Sequence, residues 1–214
     1  VTQKTDVLQL CKMCGDKLLK AMIKTPTGSA WKIASQTSPL AGLSHGSAGI
    51  SLALIRLSKL LNDDTYFIGS RSAIAYENSL YSSEHNNWLD LRKRTDDKTE
   101  NQVGWAWCNG APGIAIERLE SLKQNQSDCS SREQDDLALI VKSTLSSQWP
   151  SHYALCHGAF GNLDILSHIA MHTKDHGLVE KCRQGISQSI IQCSTPHGAF
   201  NDFFKKENFE GKEL

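Results

Sequence analysis

At residues 156–158 a cysteine and a histidine stand side by side and are followed at once by glycine, Cys156-His157-Gly158. Neighbouring side chains on a regular helix point about 100° apart, so one helical face cannot present both. An irregular turn can, and thiolate and imidazole together suit zinc. Two further turns carry related residues: Gly42-Leu43-Ser44-His45-Gly46-Ser47-Ala48-Gly49 and Trp107-Cys108-Asn109-Gly110-Ala111-Pro112-Gly113. Each of these, like Cys156-His157-Gly158-Ala159-Phe160-Gly161, ends in G-x-x-G ahead of an apolar segment. Cys108, Cys156, His157 and His45 can therefore reach one cavity if the three turns open at the same end of the fold. Two thiolates and one imidazole form a zinc set that leaves a fourth position for substrate, which separates a catalytic site from a closed structural one.

The elements that would have to position these turns read as helices. Leu8, Cys11, Leu18, Leu19 and Met22 recur at helical spacing before Pro26 and Gly28 stop the run. The stretch from Ile50 to Leu61 is apolar on nearly all sides, as a buried helix is, and Phe67 to Tyr81 follows it as a second. SSEHNNWLDLRKRTDDKTENQVG then reads as a long polar surface loop. Ile114 to Leu122, Asp135 to Leu145, Leu163 to Met171 and Leu178 to Ile191 resume helical spacing, with QNQSDCSSREQ as a polar break. Paired helices, short turns and almost no strand signal predict an all-α fold of stacked helical hairpins. The final glycines, Gly49, Gly113 and Gly161, are spaced by 64 and 48 residues, which fits two-helix repeats with one long insertion. Glycine there is expected to allow positive φ and close helix approach. A fourth turn, His197-Gly198-Ala199-Phe200, has Asn201 in place of the second glycine and is not given the same role.

Composition removes several function classes. Of 214 residues, 23 are Lys or Arg and 23 are Asp or Glu, so no net field favours nucleic acid or an anionic membrane surface. The longest apolar runs fall well short of the roughly 18 residues a membrane span needs, and VTQKTD lacks the order of a secretory signal. The compartment reads as cytoplasmic. Seven cysteines in a chain of this size argue for reduced thiols with selective metal use over a disulfide framework. Cys11 and Cys14 form a CxxC with no second half, and Cys129, Cys182 and Cys193 have no frame. Trp88, Trp105 and Trp107 read as packing residues.

GLSHGSAG, WCNGAPG and CHGAFG, in that order, resemble the signature motifs of the lanthionine cyclases, the LanC-like family. YENSLYSSEHNNWLDLR is similar to the cyclase domain of class II lanthipeptide synthetases, the LanM type. The resemblance implies an α/α toroid, a double-layered barrel of seven helical hairpins, of which about four are expected here. It implies zinc (Zn2+) held by Cys108, Cys156 and His157, with His45 as the acid/base residue. The implied reaction adds peptide cysteine thiolates to dehydroalanine or dehydrobutyrine in a lantibiotic precursor, closing lanthionine and methyllanthionine rings. The implied partners are the dehydrated precursor peptide and an export transporter. Asn109 stands where free-standing cyclases commonly carry tyrosine. Residues 1–214 then read as a partial cyclase domain, its C-terminal part, without the dehydratase region and the final repeat.

The same constellation fits zinc at the mouth of the barrel by its own chemistry: the metal ionises a thiol, and a nearby imidazole supplies the proton to the α-carbon after the thiolate adds. Two readings compete. A LanC-like protein could hold a thiol such as glutathione without turnover. A structural α/α repeat module would merely pack its cysteines, and a helical-hairpin glycosidase would need paired carboxylates, whereas Asp90, Asp96 and Asp97 have no frame.

Overall fold

The computed structural model describes residues 2–33, 36, 38–92, 102–123, 130–147, 149–150 and 152–193. Seven helices dominate them: α1 (Thr2–Lys20), α2 (Ser47–Leu61), α3 (Asp64–Asn78), α4 (Ala111–Leu122), α5 (Ser130–Ser146), α6 (Ala159–Thr173) and α7 (His176–Cys193). Short strands β1 (Ile23–Lys24) and β2 (Ser29–Ala30) pair with each other, and β3 (Tyr81–Ser82), β4 (Asn87–Asp90) and β5 (Gln102–Val103) form a three-stranded antiparallel sheet.

Two of the hairpins are closed by the same local device. Asn62 ends α2 in the left-handed region at φ 51°, and Asp63 then caps α3 by accepting from the Thr65 amide at 2.9 Å. Lys174 ends α6 at φ 57°, and Asp175 accepts from the Leu178 amide at 2.9 Å in the first turn of α7. A left-handed residue followed by an aspartate reverses the chain at once and leaves each pair antiparallel.

α2 packs on α3, α4 on α5 and α6 on α7, while α4 lies between α2 and α6. The result is an inner row α2, α4, α6 with one outer helix on each, an arc of an α/α toroid. The core runs through α4, α5 and α6, where Ile114, Ile140, Leu163, Leu166 and Ile169 are buried. α1 and the residues that follow it add a second cluster, placing Leu18, Leu19 and Met22 against Leu54, Leu57 and Tyr66. Three complete hairpins and α1 thus lie within the described residues, and the fourth turn at His197 lies outside them. No helix among the described residues is long and apolar enough to cross a membrane.

The stretch expected as a surface loop is in part core. Trp88 of β4 is 2% exposed and meets the Tyr81 ring edge-on at 5.2 Å, and Asn87 beside it is fully buried. Tyr81 pairs with Trp88 in the sheet, so α3 stops at Asn78 and does not reach Tyr81. Strands of two to four residues are too short for alternation to show in the sequence, and Asn87 looks like turn chemistry until its partners are seen. Residues 93–101 of that stretch lie outside the described ones. α5 likewise begins at Ser130, inside the expected polar break, because Glu133 finds a partner in Arg71 and becomes buried.

Candidate metal centre

Every inner helix begins at one of the glycine turns, so α2, α4 and α6 start at the same end of the arc. Aligned on their last glycines, Ser44, Cys108 and Cys156 are equivalent, as are His45, Asn109 and His157. The equivalent residues are linked in space: the Ser44 amide donates to the Cys108 carbonyl at 3.0 Å, and the Cys108 amide donates to the Cys156 carbonyl at 3.1 Å. Backbone hydrogen bonds therefore carry the turns from one repeat to the next.

The last glycine of each turn is required by crowding. A Cβ on Gly49, Gly113 or Gly161 would stand 1.9, 2.4 or 1.9 Å from the carbonyl oxygen of Leu43, Trp107 or Leu155. These carbonyls are equivalent, six residues earlier, so each turn folds back closely on the start of its own helix. The expected positive φ does not occur at these three positions; among the described glycines it is found at Gly42 and Gly110.

The middle turn differs for a reason visible in its hydrogen bonds. In the first and third turns the first helical amide reaches back seven residues, Ser47 to the Leu40 carbonyl and Ala159 to the His152 carbonyl, both at 2.9 Å. In the middle turn the side chain of Asn87 is inserted instead. Its Oδ1 accepts from the Ala111 amide at 2.9 Å, and its Nδ2 donates to the Gly104 carbonyl at 2.8 Å. This wedge accompanies a φ of 85° at Gly110, where Gly46 and Gly158 are extended. In the sequence Asn87 carries no signal beyond an Asn-Trp pair inside a polar stretch.

Cys108, Cys156 and His157 come together, with one ligand atom from each within 4.8 Å of the others. Around a tetrahedral zinc two thiolate sulfurs would lie roughly 3.8 Å apart, given Zn–S bonds of about 2.3 Å, so small side-chain rotations would close the set. The donor chemistry also fits a cation. Burial and the neighbouring Cys156 thiol push the Cys108 thiol above its ordinary range, with Arg92 opposing. Two thiolates in that space repel, and a cation between them removes the penalty. His157 is braced edge-on by the His152 ring at 5.0 Å. The starts of α2, α4 and α6, capped by glycines without side-chain bonds, also turn their positive dipole ends toward this region.

His45 lies outside that three-residue group. It is exposed and lines an adjoining apolar cleft of about 590 Å³ with Leu43, Ile50, Leu52 and Trp107. Its turn is held from beneath by Glu77 of α3, whose Oε1 accepts from the Gly42 amide at 2.9 Å and the Ala48 amide at 3.1 Å. Glu77 belongs to a buried ion cluster: Arg118 donates to Glu77 at 3.2 Å, to Asp136 at 2.7 Å and to Glu117. Burial pushes Glu77 up to about 7, against the pull of Arg118. Glu117 and Arg118 were legible as charges inside an apolar helical run, but their partners on α3 and α5 were not.

The remaining sequence candidates separate cleanly. Cys182 is buried packing, and Cys11 and Cys14 join no metal-type group among the described residues. Cys129 lies outside those residues, as do Asp96 and Asp97. Trp107 packs against the core, and Trp105 donates from its indole to Ser143 at 2.8 Å. Asp90, read as unframed, accepts from the Asn109 amide at 2.9 Å, directly beside Cys108.

Residues 2–201 match the model of the lanthionine synthetase C-like protein family. The chain belongs to this family. Among curated relatives of this lanthionine synthetase C-like chain is the lacticin 481/lactococcin biosynthesis protein LcnDR2 of Lactococcus lactis subsp. lactis, 30% identical over 137 residues. That alignment covers 60% of this chain and 14% of the relative. Among solved structures nisin cyclase matches with a TM-score of 0.56 at 18% identity, over 73% of this chain and 41% of that one. The likeness to nisin cyclase establishes the toroid fold that the three hairpins trace, and the chain spans less than half of either protein's length.

Proposed function

We propose that this chain is part of the zinc-dependent cyclase region of a class II lanthipeptide synthetase, which closes lanthionine and methyllanthionine rings in a dehydrated precursor peptide. The observation that carries this reading is the meeting of Cys108, Cys156 and His157 from two turns 48 residues apart, on a fold whose family is defined by lanthionine synthesis. The long, largely unaligned remainder of the lacticin relative supports a multidomain parent of the LanM type.

Cys108, Cys156 and His157 would hold the ion. Bound zinc supplies Lewis acidity that ionises a substrate thiol at neutral pH. His45, beside the apolar cleft, carries the proton, which is returned to the α-carbon as the C–S bond forms at the β-carbon. The cleft receives the apolar part of the peptide and keeps water from the α-carbon. The positive ends of three helices favour the negative charge that develops during addition. The chemistry needs reduced substrate thiols, which supports a cytoplasmic setting and an export transporter as the partner that removes the product.

The test has two parts. The purified chain is first loaded with zinc and its stoichiometry measured, with one ion per chain expected. A peptide bearing one cysteine and one dehydroalanine is then added, and free thiols are counted by alkylation and mass spectrometry. Loss of the alkylatable thiol in the zinc-loaded sample supports ring closure. An unchanged count with zinc bound overturns turnover by this chain, and absence of zinc uptake overturns the site.

A further inference from the structure

Arg92 is a cation tied through side-chain hydrogen bonds to the turn that bears Cys108. Arg92 follows β4 and is held by Asp90, with its Nε 2.9 Å from each carboxylate oxygen. The Arg92 amide also donates to Asp90 Oδ1 at 3.1 Å, so backbone and side chain share one clamp. The same carboxylate accepts from Asn109 Nδ2 at 2.9 Å, and Asn109 is the residue after Cys108. Asn109 is itself fixed, because a Cβ on Gly104 would lie 2.8 Å from its Nδ2 and one on Gly42 would lie 3.0 Å from its Oδ1. A rigid relay, Asn109 to Asp90 to Arg92, thus ties a guanidinium to the turn that bears Cys108. Nε and one Nη serve Asp90, and among the described residues the other Nη makes no hydrogen bond.

We propose that Arg92 is the anion-binding residue of this site, receiving the carbonyl oxygen of the dehydro residue as that oxygen takes up negative charge during thiol addition. The step balances within the substrate. A sulfur lone pair forms the C–S bond at the β-carbon, the π pair of the alkene moves to give the enolate, and the charge settles on the carbonyl oxygen. The proton lost by the thiol is then restored at the α-carbon. A guanidinium whose other Nη is unengaged among the described residues suits that oxygen, because it stays charged and its planar donors are held in one orientation. Asp90 and Asn109 are positioning residues in this arrangement. The inference deepens the ring-closure reading and rests on it.

Binding and turnover are tested separately. The protein and its Arg92→Gln and Arg92→Lys variants are loaded with cobalt(II), metal content is measured, and 3-mercaptopropionate and its neutral amide are titrated by sulfur-to-metal charge-transfer absorbance. The parent should bind the carboxylate thiol roughly three- to ten-fold more tightly than the amide, a preference of the size a partly exposed charge-assisted contact gives. Arg92→Gln should lose the preference at unchanged metal content, and Arg92→Lys should keep part of it. In ring closure, Arg92→Gln should lower kcat on the order of a hundred-fold with KM little changed. Equal preference in parent and Arg92→Gln, with cobalt bound in both, overturns this inference alone. Failure of the parent to take up cobalt overturns the metal site and this inference with it.

Discussion

The amide of Cys108 donates to the carbonyl of Cys156 at 3.1 Å, and this backbone bond holds together two turns that are 48 residues apart in the chain. The thiols beside it are brought close by this bond together with the Asn87 and Asp90 side chains that brace the Cys108 turn. The turns are held by contacts that do not involve the thiol groups, so Cys108 and Cys156 can be replaced without dismantling the turns that carry them.

Cys156→Ala and Cys108→Ala should each bring zinc content from about one ion per chain to near zero under dialysis. The metal-free forms of both variants should stay within about 1 kcal/mol of the metal-free parent, since neither substitution alters the main-chain bonds. Elemental analysis and thermal melts in chelator check the two halves. Zinc retained in Cys156→Ala would remove that residue from the ligand set.

His45 is exposed beside the cleft and outside the three-residue group, so His45→Asn should leave metal content unchanged. Ring closure should slow by roughly 10²–10⁴-fold, the range for losing a positioned proton carrier. Single-turnover alkylation kinetics at matched zinc loading provide the measurement, and an unaltered rate would move the proton role elsewhere.

Glu77 sets a pH dependence of stability. Its carboxyl is raised from 4.5 to about 7 in the fold, so between those values the native state holds a proton that the unfolded chain has released. Stability is greatest below pH 4.5 as far as this group is concerned, and falls as pH rises through 7. The difference amounts to on the order of 3 kcal/mol. Glu77→Gln mimics the protonated form, so its urea midpoint should fall less than the parent's between pH 5 and 7.5. Parallel curves for the two proteins would show that Glu77 does not hold the proton.

Asn87 is fully buried and makes three hydrogen bonds, to Trp88, Ala111 and Gly104. Asn87→Ala leaves the first amide of α4 and the Gly104 carbonyl without partners and should cost about 2–4 kcal/mol. Because the wedge shapes the turn that holds Cys108, zinc affinity should weaken as well. Denaturant melts and zinc competition with a chromogenic chelator report the two effects. A stable variant with native affinity would reduce Asn87 to filler.

Gly161→Ala sets a methyl carbon 1.9 Å from the Leu155 carbonyl oxygen, a backbone atom that cannot yield without moving the third turn. A loss of about 2–4 kcal/mol is expected. Gly177→Ala is the control, because its Cβ meets only the Asp175 side chain, at 3.3 Å, and the change should stay within about 1 kcal/mol. Equal costs at the two positions would contradict the close-approach account of the repeated glycine.

What the sequence determined by itself was periodic or local. Helical spacing marked all seven helices, with boundary errors at Tyr81 and Ser130. Three G-x-x-G turns announced the repeat, and the thiols and imidazoles inside them named the chemistry, because residue type and short spacing survive in one dimension. The tertiary structure alone decided which residues hold those turns in register. Glu77 reaches Gly42 and Ala48 from another helix, Asn87 replaces a main-chain bond from a four-residue strand, and Asp90 connects Arg92 to Asn109. Each is a single polar side chain that satisfies a partner between 19 and 35 residues away. Such a pairing leaves no period in the chain, and a buried donor or acceptor cannot be told from an exposed one until the fold has removed the water around it.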